Sequence, residues 1–147
     1  MIYLADTNVL LRFARPSQPG HAVVRTAVRT LRQNGHQILI ASQNCVECWN
    51  VATRPITNNG LRLSTVEANR MLGLIERLFQ RPPDTDQVFS IWRKLVVSFG
   101  VSGRQVFDAR LVAAMQSLGV THILTFNTQD FVRYANIGIV AIDPSTV

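Results

Sequence analysis

Apolar positions along the chain follow two rhythms. Four short, nearly continuous apolar runs, at residues 2–5, 37–41, 121–125 and 138–142, read as strands buried on both faces. Between them the apolar residues recur at helical spacing. Val24, Ala27, Val28 and Leu31 line one side of a helix over 21–33, Arg25, Arg29 and Arg32 line another, and Asn34-Gly35 ends it. A short helix is expected over 8–13, with a Pro- and Gly-bearing loop over 15–20. Ser42 offers an N-cap for a helix to about Arg54. Ser64-Thr65-Val66-Glu67 is a capping box and starts a helix to about Phe79. Arg81-Pro82-Pro83-Asp84 breaks the chain; helices follow over about 86–99 and 104–118, and a short one over 127–134.

Strands alternating with helices predict an α/β fold: a three-layer α/β/α sandwich around a short, mostly parallel sheet of four or five strands. Several helices fall between the second and third strands and form a helical insertion. No repeat, low-complexity stretch or linker interrupts the 147 residues, so residues 1–147 are expected to form a single domain. A content of 47% hydrophobic and 16% charged residues excludes disorder as the main state. No apolar run approaches the roughly 18 residues of a membrane span, and Met1-Ile2-Tyr3-Leu4-Ala5-Asp6 lacks the basic start of a secretory signal, so a cytoplasmic protein without membrane association is expected.

Charge adds a direction. Fifteen basic residues face nine acidic ones, for a net +6, and Lys94 is the single lysine. Arginine's planar fork matches phosphate bidentately, so this balance points to a polyanionic partner, nucleic acid or an acidic protein. Cys45 and Cys48 have CxxC spacing, but no second cysteine pair exists, and His21, His36 and His122 are scattered. Inside a helix, residues at i and i+3 are simply neighbours, so the pair is read as packing.

With nine acids, placement is informative. Glu67 belongs to the capping box, Glu76 to a solvated helix face, and Asp84 and Asp86 to a loop and helix start. Asp143 precedes Pro144 in the C-terminal tail. The other four acids gather at one edge of the predicted sheet. Asp6 ends the first strand, where parallel sheets bind ligands. Glu47 lies early in the helix after the second strand, on a polar face with Gln43, Asn44 and Asn50. Asp108 heads a stripe of Leu111, Val112 and Met115, and Asp130 follows the third strand. Each has an ordinary explanation alone, such as a cap for Asp6 or an ion pair with Arg104 for Asp108. Together they repel, and a cation would keep them ionised. An all-oxygen donor set suits Mg²⁺ or Mn²⁺, which serve phosphoryl chemistry. An acidic centre in an arginine-rich surface is what cutting a nucleic-acid backbone needs.

Four segments resemble, in order, the motifs of the PIN-domain family: Leu4-Ala5-Asp6-Thr7-Asn8-Val9-Leu10-Leu11, Asn44–Arg54 around Glu47, Phe107–Met115, and Thr125-Phe126-Asn127-Thr128-Gln129-Asp130-Phe131. Order, spacing and length resemble its VapC-type toxins of bacterial toxin–antitoxin pairs. The resemblance covers essentially the whole chain. It implies a Mg²⁺- or Mn²⁺-dependent endoribonuclease. Asp6, Glu47 and Asp108 would be its core metal ligands and Asp130 its fourth acid, while Thr7, Asn8, Thr125 and Asn127 would orient the carboxylates. It further implies a homodimer, an antitoxin protein as partner, and tRNA or rRNA as substrate. Three other readings remain open on the residues: a PIN-like module that holds RNA without cutting it, a housekeeping RNA-processing nuclease, and a phospho-acceptor domain. Lys94 speaks against the last, because it falls in a helix before the third strand.

Overall fold

The computed structural model describes residues 1–147. Four strands, β1 (Ile2–Ala5), β2 (Gln37–Leu39), β3 (His122–Leu124) and β4 (Val140–Ile142), form one parallel sheet in the order β2-β1-β3-β4. The register sets Leu4 beside Leu39 on one side and Ile123 on the other. A single parallel bridge, Leu39 to Gln80, adds one rung beyond β2. There Ile40 N–H donates to the Gln80 carbonyl at 3.0 Å. Of the four or five strands expected, four form, and the start of a fifth stops at this bridge, because Arg81-Pro82-Pro83 removes two of the next donors a ladder would need.

Six α-helices cover the sheet: α1 (Thr7–Ala14), α2 (His21–Gln33), α3 (Ser42–Thr53), α4 (Thr65–Leu78), α5 (Val88–Ser98) and α6 (Gln105–Ser117). The pleat of β1 divides the core. Tyr3 and Ala5 pack with α1 to α4, through residues such as Leu10, Val28, Cys48 and Ile75. Leu4 points the other way, into Leu95, Val112, Met115, Phe131 and Tyr134. Helices on both faces make three layers, as the continuous apolar strands require. Leu4 has no exposure; burying such a side chain is worth about 1.5–3 kcal/mol. No helix is long and apolar enough to cross a membrane.

Several boundaries differ from the sequence reading. β2 ends at Leu39 rather than Ala41, because Ile40 and Ala41 lead out of the sheet into α3. Ser42 is the first residue of α3 and not its cap. Ala41 takes the cap position, where Asn44 Oδ1 accepts from the Ala41 N–H at 2.8 Å and supplies the reach-back bond of a capping box. α5 starts at Val88, so Asp84 and Asp86 precede it by four and two residues. The short helix expected over 127–134 is instead a run of 3₁₀ turns over Thr128–Ile137, closed by Gly138 at φ +87°. Cys48 is buried and Cys45 half-buried; both are free thiols, and Cys48 belongs to the core.

Candidate metal and nucleic-acid site

The first strand delivers Asp6 by its ladder. The Asp6 N–H donates to the Leu124 carbonyl at 3.0 Å, which extends the β1–β3 pairing by one residue. The chain then turns into α1 with Asp6 as N-cap: its Oδ1 accepts from the Thr7 N–H at 2.7 Å. Its Oδ2 accepts from Asn8 Nδ2 at 2.8 Å and from the Thr125 hydroxyl at 2.7 Å. Thr125 lies just past β3 and is fully buried. Its hydroxyl donates to Asp6 and accepts from Asn8 Nδ2 at 3.1 Å and the Asn127 N–H at 3.0 Å. Asn8 Oδ1 in turn accepts from the Phe126 N–H at 3.2 Å. The ends of β1 and β3 are thereby laced around one carboxylate. The cap expected at Asp6 and a place at the ligand-binding edge coexist in the same residue.

Glu47 reaches this end of the sheet from α3. Its Oε2 accepts from the Thr7 hydroxyl at 2.7 Å, and its Oε1 accepts from Gln43 Nε2 at 2.6 Å. Asn44, buried in the same helix, donates to Thr7 Oγ1 at 3.3 Å. The polar face read from the sequence is therefore real for Gln43, Asn44 and Glu47, while Asn50 is exposed.

Asp108 lies in the first turn of α6 and is half-buried. Its predicted stripe is present, since Leu111, Val112 and Met115 are all buried. It does not pair with Arg104: the two ion pairs in the molecule are Arg81–Glu76 and Arg110–Asp84. Asp130 is exposed in the 3₁₀ segment after β3.

The four acids share one field. Burial raises the Asp6 carboxyl to about 6, the hydrogen bonds from Thr125 and Thr7 oppose the rise, and the charges of Glu47 and Asp130 add to it. Asp108 rises further, to about 7, through burial and then the charges of Asp130, Asp6 and Glu47; the Arg133 guanidinium opposes it. Two carboxyls poised near neutrality in one cluster mark a place where added positive charge is stabilising.

The donor chemistry fits a hard divalent cation, because every group is a carboxylate. Spacing is a separate matter. No three of the His, Cys, Asp and Glu side chains stand close enough to hold one ion as they are.

Asp84, Arg110 and Gln43 meet in the fold although they lie far apart along the chain. Asp84 lies in the loop before α5, where it accepts from the Ser42 hydroxyl and lies 3.7 Å from Arg110 Nη2. Their positions in sequence gave no sign of this, because α3, the loop before α5 and α6 meet only in the fold. At the rim, the Arg12 guanidinium lies 4.7 Å from the centre of the Phe126 ring and donates to the Asn8 carbonyl at 2.8 Å. A positive, aromatic edge thus borders the acids.

Comparison with known proteins agrees with this architecture. The family model of the PIN domain matches residues 3–137. Similar solved structures include VapBC-1 from nontypeable Haemophilus influenzae (TM-score 0.72, 15% identity, 99% of each chain covered). FitAcB from Neisseria gonorrhoeae gives 0.69 at 20% identity over 100% of each chain. VapC20 of Mycobacterium tuberculosis, a Sarcin-Ricin loop cleaving toxin, gives 0.61 at 14% identity over 94% of this chain and 96% of its own. At these identities the likeness is one of fold. No match emerges among curated proteins.

Proposed function

The chain belongs to the PIN domain family, and from that premise we propose that it is a Mg²⁺- or Mn²⁺-dependent endoribonuclease, the toxin of a toxin–antitoxin pair. The observation that carries the reading is the gathering of Asp6, Glu47, Asp108 and Asp130 in one field that raises Asp6 and Asp108, in a chain of net charge +6. Asp6, Glu47 and Asp108 would hold the ion, with Asp130 as the fourth acid. A bound Mg²⁺ or Mn²⁺ supplies a Lewis acid that activates water and neutralises phosphate charge.

The chain's own groups set the stage for that chemistry. Thr7, Asn8 and Thr125 fix Asp6 and Glu47 by donating to their carboxylates, and Asn127 anchors Thr125 through its N–H. The remaining lone pairs of the carboxylates are left for a cation. Arginines around the acidic end bind the RNA backbone and carry no base information. Arg12 and Phe126 give a surface on which a base stacks. VapC20, similar in fold, is a Sarcin-Ricin loop cleaving toxin, which supports an RNA target for this chain, in rRNA or tRNA. An antitoxin partner and a homodimer extend the reading by resemblance to VapC-type toxins.

The spacing of the acids favours a second reading, an RNA-binding PIN module that does not cut. Induction in a bacterial host separates the two. New RNA 5′ ends are mapped for wild type and for Asp108→Asn, both confirmed soluble. Discrete ends with wild type alone support the nuclease. Profiles that both match the empty vector sink it.

A further inference from the structure

Gln43 occupies the second position of α3, one turn before Glu47 and on the same face. It is 8% exposed, and both its amide nitrogen and its amide oxygen have partners. One Nε2 hydrogen goes to Glu47 Oε1 at 2.6 Å and the other to the Phe107 carbonyl at 2.8 Å, in the first turn of α6 beside Asp108. Its Oε1 accepts from Arg110 Nη1 at 3.0 Å. An amide presents two donors on one side and an acceptor on the other, whereas guanidinium only donates. Arg110 on one side and the Glu47 carboxylate and Phe107 carbonyl on the other therefore agree on which way the amide faces. Rotated by half a turn, the Gln43 oxygen would meet a carboxylate and a carbonyl, and its N–H groups would meet a cation. Arg110 is itself held against Asp84, which accepts from Ser42.

We propose that Gln43 is a positioning residue for the acidic site: held in one orientation with Arg110 on its oxygen and the Phe107 carbonyl on its amide nitrogen, it fixes the Glu47 carboxylate and ties the helix bearing Glu47 to the helix bearing Asp108. With Thr7 on Oε2 and Gln43 on Oε1, both Glu47 oxygens are pinned, so the glutamate keeps one rotamer despite its flexible stem. The bond to Phe107 sets how far apart α3 and α6 stand at this end. The clamp determines how readily Glu47 and Asp108 close on a cation, and the hydrogen bond from Arg110 reaches them through Gln43. This inference rests on the metal-dependent reading above.

Its test is Mn²⁺ binding by isothermal titration calorimetry, without RNA, on wild type, Gln43→Met, Arg110→Met and the double variant. Methionine keeps much of each side chain's volume and removes its polar contacts. Thermal unfolding without metal confirms that each variant is folded. Gln43→Met is expected to weaken Mn²⁺ binding about ten-fold, the scale on which groups that orient metal ligands act. Arg110→Met is expected to weaken it by less. The double variant should bind no worse than Gln43→Met alone, because the hydrogen bond from Arg110 toward the acids runs through Gln43 and loss of its positive charge favours a cation. A merely structural role would lower the melting temperature and leave Mn²⁺ affinity unchanged. Single variants within about two-fold of wild type, or losses that multiply in the double variant, overturn the clamp. Should Gln43→Met not fold, Arg110→Met decides alone, since Arg110 is half-exposed. A wild type that takes up no Mn²⁺ defeats the nuclease reading itself and the clamp with it; a wild type that binds beside unaffected variants defeats the clamp only.

Discussion

Asp6 and Asp108 share the acidic end of the molecule, yet one carboxylate accepts three hydrogen bonds while the other is opposed only by the charge of Arg133. Asp6 belongs to the strand side. There the ladder, the α1 cap and the buried Thr125 hydroxyl fix it before any ligand arrives. Asp108 belongs to the helix side, half-exposed at the start of α6, with exposed Asp130 across from it. Asp108 is nevertheless raised further than Asp6, to about 7 against about 6. Hydrogen bonds offset burial in one and have no counterpart in the other. The strand side is held by hydrogen bonds to its carboxylate and the Asp108 carboxylate is not, a division that suits the cation site proposed above.

Removing the Thr125 hydroxyl is expected to have the largest effect on stability. Thr125→Val leaves the Asn127 N–H without its acceptor and takes one donor from Asp6. Loss of a buried hydrogen-bonding group costs about 1–3 kcal/mol, so urea unfolding of the metal-free protein should show a drop of that size. A change below about 0.5 kcal/mol would mean that the strand side is not preorganised by this lacing.

Asp108→Asn should act in the opposite direction. A carboxyl whose folded-state pKa lies above its ordinary value favours the folded state when protonated. Its contribution is fully present below about pH 4 and lost as pH rises through about 7. Asparagine keeps the group neutral throughout. At pH 8 without metal the variant should be more stable than wild type, on the order of 1 kcal/mol after allowance for solvent screening at a half-exposed site. Near pH 4 the two should coincide. Asp6→Asn should give no such gain, because one amide end cannot accept where Asp6 now accepts on both oxygens. Equal gains at the two positions would erase the contrast between the halves. Asp130→Asn, at an exposed position, should change metal-free stability by less than about 0.5 kcal/mol.

The contrast also marks what the sequence could and could not convey. Strand ends, caps and apolar stripes are local, and Asp6, Glu47 and Asp108 stand out because each sits where a short-range pattern places it. The capping box at Ser64 is present, with Ser64 and Glu67 bonded reciprocally. A serine before a helix offers a cap by propensity, but the Ser42 hydroxyl donates to Asp84 and Ala41 stands at the cap position. The fifth strand shrank to Gln80 because two prolines follow closely. The link among Asp84, Arg110 and Gln43 joins segments more than 20 residues apart along the chain, and no periodicity records such a meeting. Preorganisation at Asp6 is written locally; the surroundings of Asp108 are a property of packed elements.

The proposed function stands or falls on whether the four acids act as one cation-dependent cutting site. Purified protein incubated with end-labelled bacterial tRNA and rRNA, in Mn²⁺, Mg²⁺ or excess chelator, tests it directly, with Asp108→Asn alongside. Discrete cleavage by wild type in Mn²⁺ or Mg²⁺, abolished by chelator and absent in the variant, is the predicted result. Equal cleavage in chelator, or RNA that is bound yet uncut under either metal, would contradict it.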